Sequence, residues 1–120
     1  MNISFVTVHV PELEKTIAFY ETVMGFTVTK RFKAGPQTEI VFMDDGRGGQ
    51  LEFIAGMGSS IRAEGISIGF VVPDIEATHA HLMKHGVAVI RPPATLPSGV
   101  KLMSAKDPNG LELGFVQYPK

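Results

Sequence analysis

Cysteine and tryptophan are both absent from this 120-residue chain. Without cysteine there is no disulfide, no thiolate nucleophile and no zinc-thiolate site, so any metal would have to be held by His, carboxylate or carbonyl groups. Net charge is scarce as well: 11 basic and 12 acidic residues leave −1. With no Lys/Arg run, nothing supplies the positive field that holds a nucleic-acid backbone. No run of about 18 apolar residues is present, and the opening MNISFV lacks the basic stretch and the core of about 7 to 15 apolar residues of a signal peptide. The expectation is a cytoplasmic protein with neither a nucleic-acid nor a membrane partner.

What the chain does have is a repeat. VTVHVPELEKTIAFYETVMGFTVTK, at 6–30, returns in altered form as IGFVVPDIEATHAHLMKHGVAVIR at 68–91. Val10-Pro11 and Val72-Pro73 stand 62 residues apart, as do Leu51-Glu52-Phe53 and Leu113-Gly114-Phe115. One residue is lost between, so Gly25 meets Gly86. A period of about sixty exceeds the roughly 20 to 50 residues of solenoid units, so a duplicated half-domain is the better reading. A chain of this length forms one domain-sized unit whose halves share a core or pair across a dimer. The modules are expected at 1–56 and 66–120, joined by a connector at 57–65 that is rich in glycine and polar residues.

Each half reads as βαβββ. Residues 3–10 form a strand with Val6, Val8 and Val10 on one face and Phe5, Thr7 and His9 on the other. Pro11 suits a first helical turn, and Leu13, Ile17, Tyr20 and Met24 then make an apolar helical stripe that Gly25 ends. Short β-prone runs at 26–32, 38–43 and 50–55 complete the half, divided by Ala34-Gly35-Pro36 and by the run 44–49. In the second half a strand at 66–72 leads to a helix at 74–85, where Asp74 is a better N-cap than Glu12. Strands at 87–91, 100–105 and 111–116 follow, divided by Pro92-Pro93, by Leu96-Pro97-Ser98-Gly99 and by the turn Asp107-Pro108-Asn109-Gly110.

These motifs, VPELEKTIAFYETVMGF, LEFI, VPDIEA and DPNGLELGFVQ, resemble the vicinal oxygen chelate superfamily of glyoxalase I, bleomycin-resistance proteins and extradiol dioxygenases. The resemblance covers essentially the whole chain. It implies an α+β fold in which two βαβββ modules form a curved mixed sheet around a cleft, with helices on the convex side, and it implies a homodimer. In metal-dependent members each half contributes one ligand from its first strand and one from its last, usually His and Glu. The matching positions here are Phe5, Glu52, Ser67 and Gly114, of which only Glu52 is a ligand type. Catalytic divalent sites generally use about three protein ligands, so a lone carboxylate grips such an ion poorly.

Alternation places Thr7 and His9 beside Phe5, Gln50 and Ile54 beside Glu52, and Gly69 and Val71 beside Ser67, while Glu112 and Val116 flank Gly114. An aromatic, small residues and a few polar groups are the composition of a small-molecule pocket. The expected ligand contacts are Phe5, Thr7, His9, Glu52, Ser67 and Gly114, with no metal and no cofactor. Glu52 either orients a ligand amine or hydroxyl, acts as a base, or is a structural carboxylate. His9 reads as a pocket-rim or interface residue, and Glu112 as an exposed one.

His79, His81 and His85 lack an HExxH pattern and align with apolar helix positions, which favours a surface role. The run Gly46 to Gly49 lacks the GK[ST] ending of a phosphate loop and reads as a hairpin tip, and Met43 and Met103 read as core. The function expected is metal-independent binding of a small organic molecule, in the manner of drug-sequestering proteins. The alternative is a glyoxalase-like lyase, isomerase or dioxygenase with a divalent ion shifted to Glu52, aided by His9 or Glu112.

Overall fold

Two compact units divide the chain after residue 62, and the computed structural model describes residues 1–56 and 64–120. Most of the expected connector at 57–65 therefore lies outside the described residues. The first unit runs β1 (Val6–His9), α1 (Leu13–Thr22), β2 (Thr27–Lys33), β3 (Glu39–Asp44) and β4 (Gln50–Ala55). The second runs β5 (Ser67–Val71), α2 (Ile75–Lys84), β6 (Ala88–Thr95), β7 (Lys101–Lys106) and β8 (Glu112–Gln117). Each is a βαβββ module with a four-stranded mixed sheet, in the orders β1-β4-β3-β2 and β5-β8-β7-β6, so the chain is α+β as expected. The first and last strands of each module pair in parallel, which a hairpin cannot achieve and a helical crossover can.

One face of each sheet is dry because a helix lies on it. In the first unit Tyr20, Ile17 and Leu13 of α1 are buried with Phe53, Val41 and Met43, and the Tyr20 and Phe53 rings stand 4.8 Å apart. The buried hydroxyl of Thr16 donates to the Glu12 carbonyl at 3.1 Å, so its burial leaves no lost hydrogen bond. In the second unit Ile75 and Leu82 of α2 are buried with Leu113, Phe115, Met103 and Ala105. Met43 and Met103 are core, as read from the sequence.

The duplication persists in detail. Val10 and Val72 each donate from the backbone to a last-strand carbonyl, Ile54 and Val116, at 2.9 Å. The register of β2 on β3 shifts between Val28 and Lys30, and that of β6 on β7 between Val89 and Arg91, the equivalent place. Both third-to-fourth strand turns hang on one aspartate. Asp45 Oδ1 accepts from Arg47 and Gly49, at 2.7 and 2.9 Å. Its counterpart 62 residues on, Asp107, accepts from Asn109 and Leu111 at 2.8 and 2.9 Å. Asp74 caps α2 by accepting from Glu76 and Ala77 at 3.1 Å, whereas Glu12 makes no side-chain cap.

Three expectations need correction. The first strand begins at Val6, not at residue 3, because its parallel register on β4 starts with Val6 opposite Leu51; Ile3 is left 88% exposed. The stripe of α1 stops short of Met24, since the helix ends at Thr22 with Gly25 at φ +75° beyond it. Pro92-Pro93 does not end the sixth strand, which runs on to Thr95. An edge strand tolerates proline, and the register shift between Arg91 and Ala94 takes up the missing donors. Among the described residues no helix is long and apolar enough to cross a membrane.

Candidate functional site

Directly opposed residues on neighbouring strands share a face, so the pairing defines rows across each sheet on the side away from its helix. In the first unit one such row is Thr7, Glu52, Phe42 and Lys30. In the second, the equivalent row is Gly69, Gly114, Ser104 and Arg91. The first three positions correspond at 62 residues and the last at 61, the step lost before Gly86. Duplication thus built the same transverse row twice, with different side chains.

The first row is filled. Thr7 Oγ1 donates to Glu52 Oε1 at 2.5 Å, and among the described residues the second carboxylate oxygen has no donor. Phe5 lies just before β1 and sets its ring edge-on against Phe42, with centroids 5.1 Å apart at 85°. The Lys30 ammonium stands 5.6 Å from the centre of the Phe42 ring, within cation–π range. His9 is exposed and pairs with Ile54 on the same face, one step along β1 from the Thr7–Glu52 contact. Of the expected first-half residues, Thr7 and Glu52 are therefore in contact, and Phe5 joins them through Phe42.

The second row is hollow. Gly69 and Gly114 are opposed, and a methyl built on Gly69 would meet nothing within 4 Å. Over this row lies a cavity of about 400 Å³, lined by Gly69, Gly114, Ser104, Arg91 and Glu112 together with an apolar wall. That wall is the next row, where Val116 opposes Leu102 and Leu102 opposes Ala94, with Leu96 beyond the end of β6. On the other side stands a polar row in which Glu112 opposes both Ser67 and Lys106. Ser67 and Gly114 thus share a face, although only Gly114 lines the cavity.

Ser104 is 8% exposed, and its Oγ is buried with no hydrogen-bond partner among the described residues. Leaving such a group unpaired costs on the order of 1–3 kcal/mol, so the site carries a polar demand that the protein itself does not meet. Neither Ser104 nor Arg91 was among the residues expected from sequence. Both were within reach of the repeat, because Ser104 is the equivalent of Phe42 and Arg91 that of Lys30.

The donors that could hold a metal are sparse. Phe5 and Gly114 offer no ligand atom, Ser67 offers a neutral hydroxyl, and the engaged Glu52 stands alone among the four implied positions. Among the described residues no three His, Asp or Glu side chains group closely enough to hold an ion. The residues present do not fit the metal centre that the resemblance implies. His81 and His85 set their rings 4.6 Å apart on exposed positions at the end of α2, on the helix-covered side of the sheet.

Among curated proteins none matches the sequence. Solved structures match it closely in fold. A glyoxalase/bleomycin resistance protein/dioxygenase domain from Frankia sp. EAN1pec is 17% identical with a TM-score of 0.83, over 99% of this chain and 98% of that one. A glyoxalase family protein from Enterococcus faecalis is 22% identical with a TM-score of 0.79, over 96% of each chain. A glyoxalase I mutant from Zea mays is 17% identical with a TM-score of 0.84, over 99% of this chain and 46% of that one. At the level of sequence, residues 2–115 match the family described as the Glyoxalase/Bleomycin resistance protein/Dioxygenase superfamily, and the chain belongs to it.

Proposed function

We propose that the protein binds a small organic molecule without a metal ion, and that the cavity of the second unit is where the ligand sits. The observation that carries this reading is the contrast between the equivalent rows: Thr7, Glu52, Phe42 and Lys30 fill the first, while Gly69, Gly114 and Ser104 leave about 400 Å³ open over the second. A concavity of that size with one apolar wall and a few polar groups suits a ring-sized ligand. The poor donor set at Phe5, Glu52, Ser67 and Gly114 supports binding that needs no cation. Phe5, Thr7, His9 and Glu52 make an aromatic and polar face in the first unit, a separate surface to which this reading assigns ligand contacts of its own, with Glu52 accepting from an amine or hydroxyl. Sequestration of a natural product or aromatic antibiotic is the activity such binding would serve.

Thermal-shift titration of chelator-treated protein with natural products and aromatic antibiotics tests the proposal. A ligand at a hundredfold its Kd stabilises by about 2.7 kcal/mol, a readily measured rise in Tm. The expected result is a saturable rise with at least one compound class that Gly114→Leu removes. A stoichiometric divalent ion in protein never exposed to chelator, lost in Glu52→Gln, would contradict it and favour a metal-dependent lyase, isomerase or dioxygenase.

A further inference from the structure

We infer that the cavity of the second unit is selective for organic anions: an apolar ring body lies along Val116, Leu102 and Ala94, and a carboxylate- or sulfonate-class group meets Arg91. This rests on the binding reading above and adds the chemistry of the ligand.

The placement of charges singles out Arg91. Arg31, on β2, is by contrast paired: its Nε donates to Glu39 at 2.8 Å and its Nη2 to Glu14. Among the described residues no carboxylate lies within ion-pair distance of Arg91, which nonetheless lines the cavity at the end of an uncharged row. Glu112, the carboxylate on the cavity wall, sits one row away, in register with Lys106 and outside ion-pair distance of Arg91. Arg91 is exposed, and a planar guanidinium with no partner among the described residues beside an apolar wall is suited to a flat, bidentate acceptor. Ser104 stands directly opposite Arg91 on the neighbouring strand, and turning its buried hydroxyl toward the cavity would offer a hydrogen bond to an oxygen of the same group.

The row also orders the ligand. One side of the floor is Val116, Leu102 and Ala94, and Glu112 stands on the other, so an amphiphile has one favourable orientation. A neutral body of the same shape gains only the apolar wall.

Two probes with nearly the same ring system separate these contributions: 8-anilinonaphthalene-1-sulfonate, which is anionic, and N-phenyl-1-naphthylamine, which lacks the sulfonate. Fluorescence titration of the wild type and of variants with wild-type circular dichroism gives the affinities. Arg91→Gln is expected to weaken the sulfonate probe about tenfold or more and to leave the neutral probe within about twofold, as loss of a charge-assisted contact should. Lys106→Gln, at an exposed cation outside the cavity lining, should leave both probes unchanged. Gly114→Leu, or Gly69→Val if the former does not fold, should abolish binding of both. Equal losses for the two probes in Arg91→Gln, no change in either, or an equal effect of Lys106→Gln on the sulfonate would overturn the anion selectivity while leaving the cavity reading intact. No binding of either probe to the wild type, or binding indifferent to both glycine variants, would overturn the cavity reading and the selectivity with it.

Discussion

Ser104 and Phe42 occupy equivalent places in the two modules, and a hydroxyl in place of a ring helps to open the cavity over the second sheet. Because the Ser104 Oγ is buried and unpaired, Ser104→Ala should leave stability unchanged or raise it, read as the urea midpoint of the ligand-free protein. A clear loss of stability would show that the hydroxyl is already satisfied. The paired aspartates behave differently. Asp107 is 5% exposed and holds two backbone donors, so Asp107→Ala should cost about 1–3 kcal/mol, while Asp45→Ala, at an exposed turn, should cost less than about 1 kcal/mol. Urea unfolding of the two variants side by side measures the difference. Arg31 gives a third residue-level expectation, because its hydrogen bonds hold the Glu39 carboxyl below the ordinary glutamate range. A lowered carboxylate pKa means that the pairing is complete above the ordinary range and is lost as pH falls through the depressed value. Carbon-detected NMR titration should show Glu39 returning upward in Arg31→Gln; an unmoved Glu39 would rule out the pairing. Both groups are about one-third exposed, so solvent screening leaves little stability riding on it.

Helix caps are set by local chemistry that the sequence alone carries. Asp74 was legible as the better cap because its short carboxylate reaches the free amides of the first turn, and it accepts two of them; Glu12 accepts none. Asp74→Ala should therefore cost about 1 kcal/mol and Glu12→Ala close to nothing, compared by thermal unfolding. Element order, both helices and the shared face of residues on the first and last strands of each half were equally legible, since periodicity and a 62-residue echo carry them. Strand ends were not. Residues 3–5 alternate like a strand yet have no partner on β4, and Pro92-Pro93 looks like a break yet sits on an edge where missing donors are tolerated. Both errors come from judging a strand by its own residues when its neighbour decides. The same limit hid Ser104 and Arg91: attention to first and last strands, where the resemblance places ligands, passed over the third strand and the edge that complete the row.

At the scale of the whole molecule, duplication has produced two sheets with the same topology and unlike contents. The account assigns ligand volume to the second sheet and a filled aromatic face to the first. Apolar side chains on edge strands, among them Phe32 on β2 at 45% exposure and Val71 on β5 at 70%, suit burial against a second copy, and sedimentation equilibrium should give the mass of a homodimer. A monomer at every concentration would remove that role from these side chains. The central claim is tested most directly by backbone amide NMR of chelator-treated protein titrated with 8-anilinonaphthalene-1-sulfonate. The account predicts saturable shifts largest at Gly69, Arg91, Ser104 and Gly114, whereas shifts confined to Thr7 and Glu52 that arise only after a divalent ion is added would contradict it.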